Sequence, residues 1–162
     1  IELDDDGAAD DTLAGGAGND TLQGALGNDS LFGGSGSDSI LGGDGTDWVS
    51  YANLGLANPA TVDLGAGKST DVSGIDALEG IENVLGGAGN DTLTGGDGVD
   101  TASYASAASA VTVNLATTTA QATGGAGSDI LATIENLTGS AFGSLLASET
   151  FSPAPAAATL QS

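Results

Sequence analysis

Residues 15–50 read GGAGNDTLQ, GALGNDSLF, GGSGSDSIL and GGDGTDWVS in direct succession. Each unit has nine residues, with glycine at the first and fourth places, aspartate at the sixth and a large aliphatic residue at the eighth. A weaker unit, DGAADDTLA at residues 6–14, precedes them in the same register. A fixed short period of this kind predicts a stack of similar coils, each of which packs only on its neighbours.

The aspartates and the aliphatic residues keep step along this stretch. The sixth place holds Asp11, Asp20, Asp29, Asp38 and Asp47, and the eighth holds Leu13, Leu22, Leu31, Ile40 and Val49. The period lapses after residue 50 and returns at residues 86–94, 95–103 and 124–132, which carry Asp91, Asp100 and Asp129. Alternation also predicts short strands at TVDL, residues 61–64, and TVNL, residues 112–115.

A longer repeat overlies the nine-residue one. Shifting the chain by 53 residues places Asp76 on Asp129, and residues 81–83 on residues 134–136, which both read Ile-Glu-Asn. Two copies of one larger module are therefore predicted.

The composition excludes several classes of function. The chain has 162 residues, 22 acidic and one basic, Lys68, for a net charge of -21, and it has no histidine or cysteine. A Ser-His-Asp triad, a thiol nucleophile, a zinc site and disulfides are therefore excluded. One basic side chain cannot neutralise nucleic-acid phosphates, and no apolar run is long enough for membrane insertion. Self-repulsion opposes compaction, so we expect the folded chain to need cations.

The spacing points to calcium as that cation. Glycines at the first, second and fourth places permit positive φ and turn carbonyls inward, while the aspartate adds a charged oxygen. Calcium takes about six to eight oxygen ligands, more than one such loop supplies. Two stacked loops can supply them, and pairing each unit with the second one after it couples Asp11 to Asp29, Asp20 to Asp38 and Asp29 to Asp47. About three sites between coils are expected in the first block.

The pattern GGxGxDxUx, with U a large aliphatic residue, closely resembles the RTX calcium-binding repeats of bacterial proteins exported by type I secretion. The resemblance implies an all-β fold, a parallel β-roll or β-solenoid with calcium between stacked turns. Six residues of each unit would turn around the ion and three would form a strand. It also implies a secreted or cell-surface location, the type I secretion machinery as a partner and no catalysis within this segment.

Candidate ligands follow from the places in the motif. The carboxylates are Asp11, Asp20, Asp29, Asp38, Asp47, Asp91, Asp100 and Asp129, and weaker candidates acting through backbone carbonyls are Gly16, Gly18, Gly34, Gly36, Gly43, Gly45, Gly87 and Gly89. In the second module Ser144 stands where Asp91 stands in the first, so the coil at residues 139–147 is expected to hold no calcium.

We expect one elongated domain in two parts. Residues 1–50 form the regular roll, and residues 51–147 form two longer, irregular solenoid modules continuous with it. Residues 148–162 lose both periods, and Pro153 and Pro155 disfavour strand pairing, so this part is predicted to be a tail or linker. The chain is expected to be a segment of a longer protein.

Two functions remain open. One is a structural or adhesive element of a surface-layer protein or adhesin, with neighbouring domains, a surface lattice or polysaccharide as partners. The other is an accessory module of an exported lipase, protease or polysaccharide epimerase. The low aromatic content and the near absence of lysine favour the first. An enzymatic domain elsewhere in the full-length protein would decide for the second.

Some residues outside the motif also have two interpretations. Glu82 and Glu135 could be calcium ligands, although a structural role beside a buried isoleucine is favoured. Trp48, Tyr51 and Tyr104 could form a sugar-stacking surface, although packing in the core or at a coil end is favoured.

Overall fold

The computed structural model describes residues 2–4, 8–52 and 58–147, and these form β-strands without any α-helix. The first block contains β1 (Glu2–Asp4), β2 (Thr12–Ala17), β3 (Thr21–Leu26), β4 (Ser30–Ser35), β5 (Ser39–Asp44) and β6 (Trp48–Ser50). The first longer module contains β7 (Thr61–Asp63), β8 (Lys68–Thr70), β9 (Ile75–Glu79), β10 (Asn83–Leu85), β11 (Thr92–Thr94) and β12 (Thr101–Ser103). The second contains β13 (Thr112–Asn114), β14 (Gln121–Gly124), β15 (Gly127–Ala132), β16 (Asn136–Thr138) and β17 (Leu145–Ala147). The predicted tail, residues 148–162, lies outside the described residues.

Successive nonapeptides alternate between two sheets. One sheet has the order β2-β4-β6-β10-β12-β16 and is parallel throughout, and the other has the order β1-β3-β5-β9-β8-β7-β11-β15-β14. Leu13 pairs with Leu31 in the first sheet, and Leu22 with Ile40 in the second. Every second unit is therefore stacked in register, which confirms the predicted β-roll with two nonapeptides per coil.

The eighth place of each unit supplies the core. Leu22, Leu31, Ile40 and Val49 are 0% exposed, and Leu78, Val84 and Leu93 continue the same interior between the two sheets. Each coil contributes only one or two aliphatic side chains, so the apolar area buried per coil is small.

Strands of the first block are longer than the resemblance implies. The β3–β5 pairing continues past Gln23 to Ala25 opposite Gly43 and Leu26 opposite Asp44. The pairing between coils therefore continues into the first residues of these turns, because the turns stack on each other in the same register as the strands.

The longer modules differ from the first block by an antiparallel insertion in one sheet. Strands β7, β8 and β9 form a meander in which Val62 pairs with Ser69 and Ser69 pairs with Asp76. In the second copy β14 pairs antiparallel with β15, and β13 pairs parallel with β17 as β7 does with β11. The strands predicted at residues 61–64 and 112–115 are β7 and β13. The described part of the chain has no helix long and apolar enough to cross a membrane.

Candidate metal centre

The sixth-place aspartates form a ladder along the stack. The backbone N–H of Asp11 donates to Oδ1 of Asp29 at 2.8 Å, and that of Asp29 donates to Oδ1 of Asp47 at 2.8 Å. In the neighbouring column, the N–H of Asp20 donates to Oδ1 of Asp38 at 2.9 Å. The three predicted pairs are therefore in contact. In each pair, Oδ1 of the later aspartate accepts the hydrogen bond that joins the two coils.

The second carboxylate oxygen is buried. The Oδ2 atoms of Asp29, Asp38, Asp47 and Asp100 have no hydrogen-bond partner. Burial raises the pKa of Asp38, Asp47 and Asp100, and the charge of an acidic neighbour adds to each shift. A buried, charged oxygen without a donor is costly, so these atoms require a cation or a proton.

The first-place glycine makes room for this oxygen. A Cβ on Gly15 would lie 2.6 Å from Oδ2 of Asp20 and 2.6 Å from the carbonyl oxygen of Gly33 in the next coil. In the same way, a Cβ on Gly24 would meet Oδ2 of Asp29 and the Gly42 carbonyl. In the four units at residues 15–50 the positive φ that glycine permits is used at the second and fourth places and not at the first, whereas Gly124, first in its unit, has a φ of 76°. The first place needs glycine because two oxygens converge on it.

Carbonyl groups at the second and fourth places point along the stack. A Cβ on Gly34 would lie on the carbonyl oxygen of Gly16, and one on Gly36 on that of Gly18. The carbonyls of Gly36 and Gly89 face later coils in the same way, at Gly74 and Gly127.

The residues Gly34, Gly43, Gly45 and Gly87, whose carbonyls are also predicted ligands, have different contacts. The Gly34 carbonyl accepts the Ser73 hydroxyl at 3.4 Å. Gly43 and Gly45 are the residues approached, by the carbonyls of Ala25 and Gly27 in the coil below. Gly87 lies instead against the Tyr51 carbonyl.

These donors fit calcium. In the described residues no three carboxylates come together as a metal cluster, so aspartates alone do not form a cage. The space beside the first-place glycines Gly15, Gly24, Gly42 and Gly95 nevertheless brings together a carboxylate oxygen and a carbonyl oxygen from an adjacent coil. Hard oxygen donors of this kind are those that calcium prefers.

The ladder continues beyond the first block through residues that the motif search missed. Asp38 donates its N–H to Oδ1 of Asp76 at 3.0 Å, and Asp47 donates to Oε2 of Glu82 at 2.8 Å. In the second module Asp91 donates to Asp129 at 2.8 Å and Asp100 donates to Glu135 at 3.0 Å. Ile81 and Ile134 are buried, as the favoured structural role requires, and Glu82 and Glu135 also join coils at ladder positions. Their role as calcium ligands stays a prediction.

A local signal for these residues exists. Asp76, Glu82 and Glu135 each stand two places before a core aliphatic residue, as every sixth-place aspartate does. The glycines of the motif are largely lost there, and only the acid and the aliphatic residue remain. A search that weighted these two places above the glycines would have found all three.

Two ladder carboxylates have protein donors at both oxygens. Oδ2 of Asp76 accepts the Tyr51 hydroxyl at 3.1 Å and the Ser69 hydroxyl at 2.8 Å. Oδ2 of Asp129 accepts the Thr123 hydroxyl at 3.1 Å. The hydroxyl of Tyr104 faces Asp129 without donating a hydrogen bond to it, so Oδ2 of Asp129 has one hydroxyl donor where Oδ2 of Asp76 has two. These junctions satisfy a buried carboxylate without a metal, which weakens the case for Asp129 as a ligand.

Tyr51 and Tyr104 are 6% and 2% exposed, so they cannot form a sugar-stacking surface, and the favoured packing role is confirmed. Trp48 is half-buried on the outer side of its sheet.

Ser144 occupies the aspartate place in the last described coil. Its Oγ accepts the N–H of Val111 at 3.4 Å and that of Ser140 at 2.9 Å. The hydroxyl thus substitutes for Oδ1 in holding the coils, but it supplies no charge. The absence of calcium from this coil stays a prediction.

The fifth place of each unit forms a second ladder in the opposite direction. Asn28 donates its N–H to Oδ1 of Asp10 at 2.8 Å, and Thr46 donates to Oδ1 of Asn28 at 3.0 Å. Here the upper coil donates and the lower side chain accepts. The fifth and sixth places of a unit therefore both join neighbouring coils, through hydrogen bonds of opposite direction.

Fold and site together define a β-roll with acidic ladders between glycine-rich turns. The family model for the RTX calcium-binding nonapeptide repeat (4 copies) matches residues 5–40, 23–52 and 76–104. Residues 5–52 and 76–104 therefore carry RTX calcium-binding repeats. The third match includes Asp76 and Glu82, which stand outside the intact nonapeptides. No curated protein matches the chain.

Substitution at Gly15, at a first place, should be more damaging than substitution at Gly16, where an added Cβ meets open space. We expect Gly15→Ala to lower the free energy of unfolding in calcium by about 3 kcal/mol, because the new methyl group meets a carboxylate and a backbone carbonyl. Gly16→Ala should cost about 1 kcal/mol, since it adds only the strain of a positive φ, which Ala25 already adopts at 70°. Urea unfolding in saturating calcium measures both values, and equal losses would contradict the crowding argument.

The buried carboxylates should make the metal-free fold sensitive to pH. Burial raises the pKa of Asp129 from 3.8 to about 6, hydrogen bonds from the Asp91 N–H and the Thr123 hydroxyl oppose the shift, and the charge of Asp91 adds to it. Between these values the folded chain binds a proton that the unfolded chain does not, so stability falls as pH rises through this window. In EDTA we expect more β structure by circular dichroism at about pH 4 than at pH 7.

Two asparagine variants test the assignment of this effect. Asp129→Asn should reduce the difference between acid and neutral pH, because it removes a buried group that titrates in the window. Asp97→Asn, at an exposed position, should leave the difference unchanged. Equal behaviour of the two variants would show that general repulsion, and not burial, causes the pH dependence.

Proposed function

We propose that this segment folds on calcium after export and serves as a structural or adhesive element of a secreted or cell-surface bacterial protein. The observation that carries the proposal is the buried Oδ2 of Asp29, Asp38, Asp47 and Asp100, none of which has a protein donor. A calcium-poor cytosol would keep the chain unfolded for secretion, and calcium outside would fold it.

The ligands would come from two adjacent coils. The sixth-place carboxylates of the first block, together with Asp91 and Asp100, would supply charged oxygens, and carbonyls at the second and fourth places would complete each shell. Bound calcium supplies positive charge that relieves repulsion between the carboxylates. Since the sites exist only between stacked coils, binding and folding form one event.

A structural role agrees with the repeat architecture. The family model that matches is that of the RTX calcium-binding nonapeptide repeat. A repeat stack whose coils contact only their neighbours is suited to act as a spacer. The alternative, an accessory module of an exported enzyme, would require a catalytic domain elsewhere in the protein.

Native mass spectrometry during a calcium titration tests the calcium part of the proposal. We expect several ions to bind cooperatively, with a shift to lower charge states as the chain compacts. The matched control is a scrambled chain of the same composition and net charge, which should bind calcium weakly and stay extended. Indistinguishable titrations would contradict specific sites.

Single-molecule stretching tests the structural role. In calcium the segment should resist force and then lengthen in discrete steps, whereas in EDTA it should extend without resistance. A segment that stretches equally easily in both conditions could not serve as a load-bearing spacer.

A further inference from the structure

The outward face of the six-stranded sheet is uncharged. Across this sheet Ser30, Trp48, Asn83, Thr101 and Asn136 are in register on one row, and Ser50, Leu85, Ser103 and Thr138 on the next. None of these residues carries a charge, although the chain as a whole carries -21.

The opposite face of the roll is different. Outward positions of the nine-stranded sheet include Asp63, Lys68 and Glu79, and the Lys68 position pairs with that of Asp63. Charge is therefore absent from one outer face and present on the other. The proposed calcium binding at the turns does not explain why this face is uncharged.

A groove runs across the uncharged face. It has a volume of about 340 Å³ and is lined from β4, β6, β10, β12 and β16. Five adjacent strands span about 19 Å at the usual strand spacing. The aromatic residues Phe32 and Trp48 lie at one end, and Ser50, Leu85, Ser103, Ala105 and Thr138 line its length. The hydroxyls of Ser50 and Ser103 each accept a backbone N–H and retain a proton to donate, and Thr138 is exposed.

This combination selects a class of ligand. Aromatic rings offer an apolar surface, and hydroxyl groups both donate and accept hydrogen bonds. An anionic polymer would be repelled by the net charge, and a cationic one would find no carboxylate in the groove. A neutral sugar chain has apolar C–H faces and a rim of hydroxyl groups, and its length suits an elongated groove.

We propose that this groove binds a neutral, linear oligosaccharide, with Trp48 and Phe32 as the stacking surface. The inference rests on the proposed calcium-dependent folding, because the five strands that line the groove are adjacent only in the roll. A second copy of the chain is disfavoured as the occupant, since each copy carries the same large negative charge.

The chain has a single tryptophan, so its fluorescence reports on this groove alone. The full chain in calcium is titrated with maltohexaose and with cellohexaose, and with hexagalacturonate as the anionic control. We expect at least one neutral hexaose to give a saturable change in Trp48 emission with a dissociation constant below about 10 mM. The anionic probe should give none at constant free calcium.

Two groove variants and one control assign the binding. Phe32→Ala should weaken it by about tenfold, and Thr138→Ala, at an exposed position that cannot affect packing, by about threefold. Phe142→Ala removes an aromatic ring that is 60% exposed and outside the groove, and it should change nothing.

Circular dichroism of each sample shows whether the chain is folded. It therefore distinguishes failure of the proposed function from failure of this inference alone. A chain that stays unfolded in calcium overturns the proposed function and this inference together. A folded chain whose tryptophan responds to neither neutral hexaose overturns the inference alone. Binding that Phe32→Ala and Thr138→Ala both leave unchanged, or sedimentation that shows a dimer covering the groove, also overturns it.

Discussion

In EDTA at neutral pH the chain is expected to lose most of its β structure, and millimolar calcium is expected to restore it in one cooperative transition. The aliphatic core is thin, with one or two buried side chains per coil, while the ladder carboxylates are buried at both edges of the roll. Without a cation these charges repel each other and lack solvation, and the small core cannot compensate.

Circular dichroism during titration with each ion measures this effect. Magnesium is the matched control, because it demands near-octahedral geometry and dehydrates reluctantly, so it should restore the fold poorly. A full β spectrum in EDTA at pH 7, or equal recovery with magnesium, would contradict calcium-coupled folding.

Asp29→Ala should weaken calcium binding far more than Asp11→Ala. Asp29 is 0% exposed, accepts the N–H of Asp11 and donates its own N–H to Asp47, so it lies between two coil junctions. Its removal affects two candidate sites and separates neighbouring coils, whose stability in a solenoid is a nearest-neighbour sum. We expect the calcium midpoint to rise by at least about tenfold and the cooperativity to fall.

Asp11 lies at the beginning of the ladder, in a unit with Asp6 and Ala9 at the first and fourth places, where the motif has glycines. Asp11→Ala should therefore affect one weaker site. Asp29→Asn distinguishes loss of the ladder hydrogen bond from loss of a charged calcium ligand, because the amide oxygen can still accept the Asp11 N–H but carries no charge. Calcium titrations followed by calorimetry give both midpoint and cooperativity for the three variants. Equal effects of Asp29→Ala and Asp11→Ala would contradict the shared role of Asp29.

The stacking of alternate units could be predicted from sequence because the signal is periodic. The fixed phase of Asp20, Leu22 and their counterparts requires the same backbone path in every coil, and the pairing of Asp20 with Asp38 follows from that path. The inward direction of the aliphatic residues follows from strand alternation once the phase is known. The net charge of -21 likewise predicts the need for a cation.

The sequence alone therefore determined the coil, its period, its core residues and the chemistry of its turns, because each depends on contacts that repeat every nine or eighteen residues. Only the tertiary structure decided which acids continue the ladder after residue 50. Asp76 and Glu82 meet Asp38 and Asp47 only after the two inserted strands β7 and β8, whose length the period does not encode. The tertiary structure also decided which carboxylates have protein donors, since Tyr51 lies 25 residues from Asp76 in sequence and meets it only through that insertion. Long-range hydrogen bonds of this kind depend on how irregular loops pack, and a local repeat carries no information about that packing.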